Sequence, residues 1–430
     1  MQSTTSAHAT EALLFFTLLQ LGIIVLAGRV GAAIAKSVGQ AGAVGEIIIG
    51  VLLGPSLFGW LAPDLFQAVF RSTPPQPLTI LSQVGLLLLM FQIGLEFEFG
   101  HLTERRNRFA VLAVSVAGLV TPFALGLGLA AVMPQAYVGT SNHTAFAMFV
   151  ATALSITALP ILGRIMIEFD LTRTPIGVIA ISAAAVNDVV GWLLLAVVTA
   201  LTTAQFSGGG FALNVALVIG FAALCWWGLR PLLVRVVQHQ MRAEPRLSGA
   251  LMGIVLCCVF AAGMATYKLA IFAIFGGFMV GVMLHDQGNF VAAWKERVGH
   301  FVNVFFLPIF FTYTGLRTDV GSLGDGNAWL WCAILIAVAT LGKFGGCYVA
   351  ARVAGMNRSE SKIIGVMMNT RGLMELVVVN VGFDLGVIGK EMFTMLVLMA
   401  IFSTVITSPA LRRWLPGIRE SASVRGAAVG

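Results

Sequence analysis

The chain reads as an all-α polytopic membrane protein with about thirteen transmembrane helices. Three observations predict this. Hydrophobic residues make up 58% of the 430 residues and charged ones only 10%, where soluble domains carry about 25% charged. The apolar runs are continuous and do not alternate, which selects helices over a barrel. Basic residues gather between alternate runs, as the positive-inside rule requires.

Residues 11–35 form the first apolar segment, followed by 44–60 and 78–99. Basic residues close the first (Arg29, Lys36) and the third (Arg105, Arg106, Arg108). Segments 109–133 and 144–166 come next, with Arg164 and Arg173 flanking the loop after the fifth. Segment 175–203 leads to 211–236, whose end is marked by Arg230, Arg235, Arg242 and Arg246. Then come 248–267, 270–285 (followed by Lys295 and Arg297), 300–316, 328–352 (followed by Arg352, Arg358 and Lys362), 361–383 and 391–411. Arg412, Arg413, Arg419 and Arg425 close the chain. Of 26 Lys and Arg, 20 fall on one side; Arg71, Lys268, Arg317 and Lys390 fall on the other, and Lys343 and Arg371 lie inside segments. This bias places the N-terminus outside and the C-terminus in the cytoplasm of a cell (inner) membrane. It also accounts for the net charge of +7 without a nucleic-acid partner. Residues 1–10 hold no Lys or Arg, so no cleaved signal peptide is expected.

The two halves look related. Gly94-Leu95-Glu96-Phe97-Glu98 ends the third segment and Gly315-Leu316-Arg317-Thr318-Asp319 the tenth. Ile156-Thr157-Ala158 to Phe169-Asp170-Leu171 in the fifth matches Asn369-Thr370-Arg371 to Phe383-Asp384-Leu385 in the twelfth. An offset of seven segments is odd, so the halves are inverted across the membrane. Such repeats bind their cargo near the midplane, where interrupted helices meet. The expected layout is one membrane domain over 1–430: a first repeat at about 11–203, a linker helix at about 211–236, a second repeat at about 248–411, and a short cytoplasmic tail at 412–430. Pro160 removes a backbone donor and crowds the Ile156 carbonyl, which would leave carbonyls near 155–157 free to face a cation. MMNTRGLMEL (367–376) interrupts the twelfth segment in the matching place. The pair is expected to form crossed broken helices.

Asn187-Asp188 lies inside an apolar run, 180–201. A carboxylate at the bilayer centre costs roughly 2.5–3.5 kcal/mol on insertion scales, so Asp188 points to a proton or cation site. The structural alternative is a hydrogen bond between packed helices. Glu375 is the other deep acidic residue, and it sits four residues from Arg371, on one helix face; a local ion pair is expected. Lys343 lies mid-segment, too deep to reach the surface readily. Glu46 heads the second segment near the membrane surface. His8, His101, His143, His239, His285 and His300 fall at segment ends or loops. The five cysteines form no CxxC or Cys/His cluster, so neither zinc nor a disulfide framework is implied. No cofactor is expected beyond the transported ions. An intramembrane aspartyl protease would need two membrane aspartates and a zinc protease an HExxH helix; neither is present, and the chain is not expected to be an enzyme. No GxGxxG follows a strand, and Gly208, Gly209 and Gly210 read as an external turn.

Five stretches together resemble the monovalent cation:proton antiporter superfamily. They are GEIIIGVLLGPS (45–56), ALSITA (153–158), VNDV (186–189), GKF (342–344) and MNTRGLMEL (368–376). The chain is most similar to the second branch, with its Kef-type potassium efflux systems and plant cation/proton exchangers. The resemblance implies a thirteen-helix inverted-repeat fold. Segments 4, 5, 6, 11, 12 and 13 would form a moving core; segments 1, 2, 3, 8, 9 and 10 a scaffold that dimerises; and segment 7 would connect the halves. The function implied is exchange of K+ or Na+ for protons across the lipid membrane. Asp188 would hold either a proton or a cation, since desolvation favours its neutral form and a bound cation its charged form. Thr157 and Ser155 would supply oxygen ligands, with Asn187 beside them. Electrogenic relatives place a second Asp where this chain has Asn187, so electroneutral exchange is expected. Lys343, whose counterpart in those relatives pairs with that second Asp, would pair with Asp188 or balance charge with Arg371 and Glu375. A gated potassium channel and a sodium-coupled solute symporter of similar fold remain as alternatives.

Overall fold

In a computed structural model, described for residues 2–72, 74–96, 108–140, 142–169, 171, 174–203, 216–217, 219–243, 246–269, 273–324 and 326–415, the chain is nearly all helical. Its helices are α1 (Gln2–Ser37), α2 (Gly42–Leu52), α3 (Gln76–Leu95), α4 (Arg108–Val132), α5 (His143–Ser155), α6 (Leu159–Glu168) and α7 (Pro175–Thr203). After them come α8 (Ile219–Arg242), α9 (Gly249–Lys268), α10 (Ala273–Leu284), α11 (Gly288–Gly299) and α12 (Leu307–Arg317). The last are α13 (Gly326–Val353), α14 (Arg358–Met368), α15 (Leu373–Asp384) and α16 (Lys390–Trp414). One isolated antiparallel bridge joins Val138 to Ile388. Arg105, Arg106, Arg173, Arg419, Arg425, His101 and the glycines at 208–210 lie outside the described residues.

Helices are the structure that satisfies every backbone group inside a bilayer. Among the described residues, nine are long and apolar enough to cross, or ten when the 44° bent pair Gly288–Gly299 and Val302–Leu323 counts as one. Three shorter apolar helices, Gly42–Leu52, His143–Ser155 and Ala273–Leu284, accompany them. Several segments therefore depart from their sequence outlines. The second, expected over 44–60, stops as a helix at Leu52, because Pro55 cannot continue it. The fifth and twelfth are each two helices. The last runs on to Trp414. Glu46, near the start of α2, is 5% exposed and so is buried against protein.

The starts of helices follow local chemistry. The Asn142 side chain accepts from the Ala145 amide at 2.7 Å and opens α5. Thr174 accepts from the Gly177 amide at 3.1 Å, with Pro175 in the first position of α7, where its missing N–H costs nothing. Asn357 and Glu360 cap each other's backbone at 2.8 and 2.9 Å, opening α14 with a capping box.

The chain divides into two compact units. One comprises Met1–Val30, Ile49–Glu98 and Thr199–Arg317. Its helices approach through glycines. A Cβ on Gly94 would come within 2.9 Å of Gly281 Cα, and one on Gly50 within 2.7 Å of the Phe311 carbonyl carbon, where Gly315 closes on Gly50 in turn. Gly94 lies in the third segment and Gly281 in the ninth; Gly315 lies in the tenth and Gly50 in the second. The seven-segment offset maps one contact onto the other. The other unit comprises Gly31–Ile48, Phe99–Val198 and Thr318–Gly430. It contains α4 to α7 and α13 to α16, the six segments that the resemblance assigns to the core, together with residues 31–48.

Candidate functional site

The site grows from two breaks within the second unit. α5 ends at Ser155, the extended Ile156 opens a non-helical stretch over 156–158, and α6 starts at Leu159. α14 ends at Met368 and α15 starts at Leu373. The breaks touch. The Ala158 amide donates to the Thr370 carbonyl at 3.1 Å, and the Thr157 hydroxyl donates to the Met368 carbonyl at 3.4 Å. Gly372 makes the second break possible. Its φ is +139°, a region that L side chains rarely enter, and a Cβ there would collide with Ile161 Cδ1.

A helix end inside a membrane leaves its last carbonyls without donors, and positive charge is favoured there. Two buried cations satisfy the end of α5. Arg371 donates to the Ala153 carbonyl at 2.8 Å and to the Leu154 carbonyl at 2.6 Å. Lys343 Nζ donates to the Ser155 carbonyl and, at 2.7 Å, to the Gly118 carbonyl. Pro122 makes the second acceptor available: with no N–H at position 122, the carbonyl four residues earlier, Gly118, has no donor in its own helix. Lys343 reaches that carbonyl from a widened turn of α13, Leu341–Gly345. Such turns insert one residue into the helix and recur at functional sites. Gly342 beside this lysine lies against Pro122, where a Cβ would meet Cα at 3.1 Å. Arg371 also pairs with Glu375 at 2.8 Å, both fully buried.

Asp188 and Asn187 come from α7 and are 2% and 1% exposed. Neither carboxylate oxygen of Asp188 has a hydrogen-bond partner among the described residues, nor does Asn187 Nδ2. The Leu159 amide, at the start of α6, acts on the carboxylate. The Lys343 ammonium acts on Asp188 through space, but no ion pair forms between them. The negative end of α5 thus meets cations, while the positive end of α6 faces the carboxylate. Among the described residues no three His, Cys, Asp or Glu side chains gather, so any ion here would rely on oxygen from one carboxylate, hydroxyls and carbonyls.

The structure brings all seven sequence candidates into one buried region but corrects two expectations. The Ser155 carbonyl is not free for a cation, because Lys343 holds it. The Ser155 hydroxyl donates within its own helix to the Ala151 carbonyl at 2.7 Å, with the Leu119 carbonyl at 3.2 Å; its lone pairs, like those of Thr157, are what remains for a ligand. Lys343 donates to two carbonyls and does not pair with Asp188. Sequence reasoning missed Pro122 and the hydroxyl run Ser403-Thr404-Val405-Ile406-Thr407-Ser408 of α16. Both carry a signal: a proline inside an apolar helix, and four hydroxyls spaced to share one helix face.

Two broken helices that meet beside a buried carboxylate are an arrangement found in membrane transporters. Comparison with known proteins gives the family. Residues 21–416 match the model described as "Sodium/hydrogen exchanger, transmembrane", and the chain belongs to that family. It is 36% identical over 410 residues to Na(+)/H(+) antiporter NhaS4 of Synechocystis sp., covering 95% of this chain and 98% of that one. It is 35% identical to Cation/H(+) antiporter 17 of Arabidopsis thaliana, covering 93% of this chain but 48% of the plant protein, so it spans about half of that relative's length. Na(+)/H(+)-K(+) antiporter GerN of Bacillus cereus is 28% identical over 91% of this chain and 95% of its own. The solved structure of the sodium proton antiporter MjNhaP1 from Methanocaldococcus jannaschii shares the fold. Its TM-score is 0.64, over 94% of this chain and 97% of that one, at 14% identity.

Proposed function

We propose that this protein is a secondary antiporter exchanging Na+ or K+ for protons, with Asp188 as the shared proton and cation site. The observation that carries the reading is the Asp188 carboxylate itself. It is buried in α7 with both oxygens unpartnered and faces the start of a half-helix. A buried carboxylate left without hydrogen bonds is costly, and either a proton or a cation relieves that cost, but not both together. Thr157, Ser155 and Asn187 complete the oxygen set, with water. The named relatives are antiporters, and they lend no support to the channel or symporter readings.

Exchange is proposed to be electroneutral. Asn187 carries no exchangeable charge, and Lys343 is committed to the Gly118 and Ser155 carbonyls, which supports one titrating group per cycle. Arg371 and Glu375 hold the crossing in shape. Thirteen crossings, an outer N-terminus, a cytoplasmic C-terminus and a homodimer in the cell membrane complete the proposal, on the charge asymmetry and the family fold.

The test is cation-driven proton flux in proteoliposomes, read with an internal pH dye. Wild type is expected to respond to Na+ or K+ and to ignore an imposed potential; Asp188→Asn is expected to be silent while remaining folded. Flux through Asp188→Asn would sink the site assignment, and a rate that follows the potential would sink electroneutrality.

A further inference from the structure

α16 runs beside the second break. Ser403, Thr404, Thr407 and Ser408 lie on one face of it and are 1% exposed or less. A hydroxyl in a membrane helix commonly donates to the carbonyl four residues earlier and needs no other partner. Thr407 does so, to the Ser403 carbonyl at 2.9 Å. The Thr370 and Thr407 hydroxyls also meet at 3.3 Å, where either can donate, so this contact needs no second hydrogen from Thr407. Thr404 differs. Its oxygen lies 2.7 Å from the Ala400 carbonyl of its own helix and 2.6 Å from the Arg371 carbonyl in the break. One hydrogen serves one acceptor fully, and here two acceptors at equal range compete for it.

The position of that second acceptor matters. The Arg371 main chain precedes the φ +139° turn at Gly372, and its side chain holds Ala153, Leu154 and Glu375. A shift of the Arg371 backbone would therefore move the guanidinium off the end of α5. We propose that Thr404 is a positioning residue, a hydroxyl latch that fixes the Arg371 backbone to α16 and releases it by turning to Ala400. Either acceptor satisfies the buried hydroxyl, so the latch opens without orphaning it. Only the hydroxyl hydrogen has to turn, since the oxygen is already within reach of both carbonyls. The inference rests on the antiport reading for its consequence in transport, but the latch itself is independent of it.

Two measurements test it. In proteoliposomes, Thr404→Val, which keeps the shape and removes the hydroxyl, is expected to raise the half-saturating cation concentration about tenfold with the maximal rate retained. Thr404→Ser is expected to restore the wild-type value. Hydrogen-exchange mass spectrometry of a peptide spanning 369–376 reads the latch without transport: exchange should be faster in Thr404→Val and wild-type in Thr404→Ser. Unchanged exchange in Thr404→Val overturns the latch. A lower maximal rate with unchanged half-saturation, in both variants, also overturns it and leaves a packing role. Wild-type protein that moves no protons with cations overturns the antiport reading, while the exchange data still decide the latch.

Discussion

Replacing Arg371 by Met should destabilise the protein more than replacing Arg371 and Glu375 together. The single change leaves Glu375, 1% exposed, without its partner. Breaking a buried pair in this way costs about 3–5 kcal/mol. It also orphans the Ala153 and Leu154 carbonyls that Arg371 holds at 2.8 and 2.6 Å, at about 1–3 kcal/mol each. The single variant thus loses about 5–11 kcal/mol. The double variant, with Met at both positions, keeps the carbonyl cost but removes the stranded charge, and should recover about 3–5 kcal/mol of the loss. With an unfolding entropy of about 2.1 cal/mol/K per residue over 430 residues, 1 kcal/mol moves Tm by about 1 °C. The assay is thermal unfolding of purified protein in detergent, with Glu375→Met completing the double-mutant cycle. The expected order of Tm is wild type, then the double variant, then Arg371→Met, with the last two separated by about 3–5 °C. A double variant no more stable than Arg371→Met would refute the reasoning: the pair would then contribute little, and the capping of α5 would carry the whole effect.

Two further outcomes are expected. Pro122→Ala supplies an amide that competes with Lys343 Nζ for the Gly118 carbonyl; a bond from a charged donor is worth about 1.5–3 kcal/mol, so the transport rate in proteoliposomes should fall about tenfold or more, and an unchanged rate would show that Lys343 does not depend on that acceptor. Asp286, outside the spans, is raised by burial, but the Gln287 bond at 2.9 Å, the Arg230 and His285 charges and the Arg230 bond at 2.5 Å outweigh this and hold its carboxyl below the usual range. A lowered folded value stabilises above the unfolded pKa of about 3.9 and is lost as pH falls through the folded value. At 40% side-chain exposure the pair is worth about 0–1 kcal/mol, so Asp286→Asn should lower Tm at pH 7 by about 1 °C or less, with the gap closing below about pH 4; a gap that widens in acid would reverse the sign.

Much of the helical layout was legible in the chain because local chemistry decides it. Apolar runs in lipid must be helical, and Arg371 meets Glu375 because residues four apart share a helix face. The place of the breaks could also be read, from residues 156–158 and 369–372 at matching positions in the two halves. What the sequence left open was which groups meet across the fold. Lys343 is 225 residues from Gly118 and 188 from Ser155, and at such separations no spacing rule selects a partner. Sequence reasoning left it two roles, a pair with Asp188 or charge balance with Arg371 and Glu375. The tertiary structure gave it to two carbonyls instead, because a proline and a helix end had left those acceptors without donors, and Asp188 was thereby kept unpaired at the meeting of the two breaks.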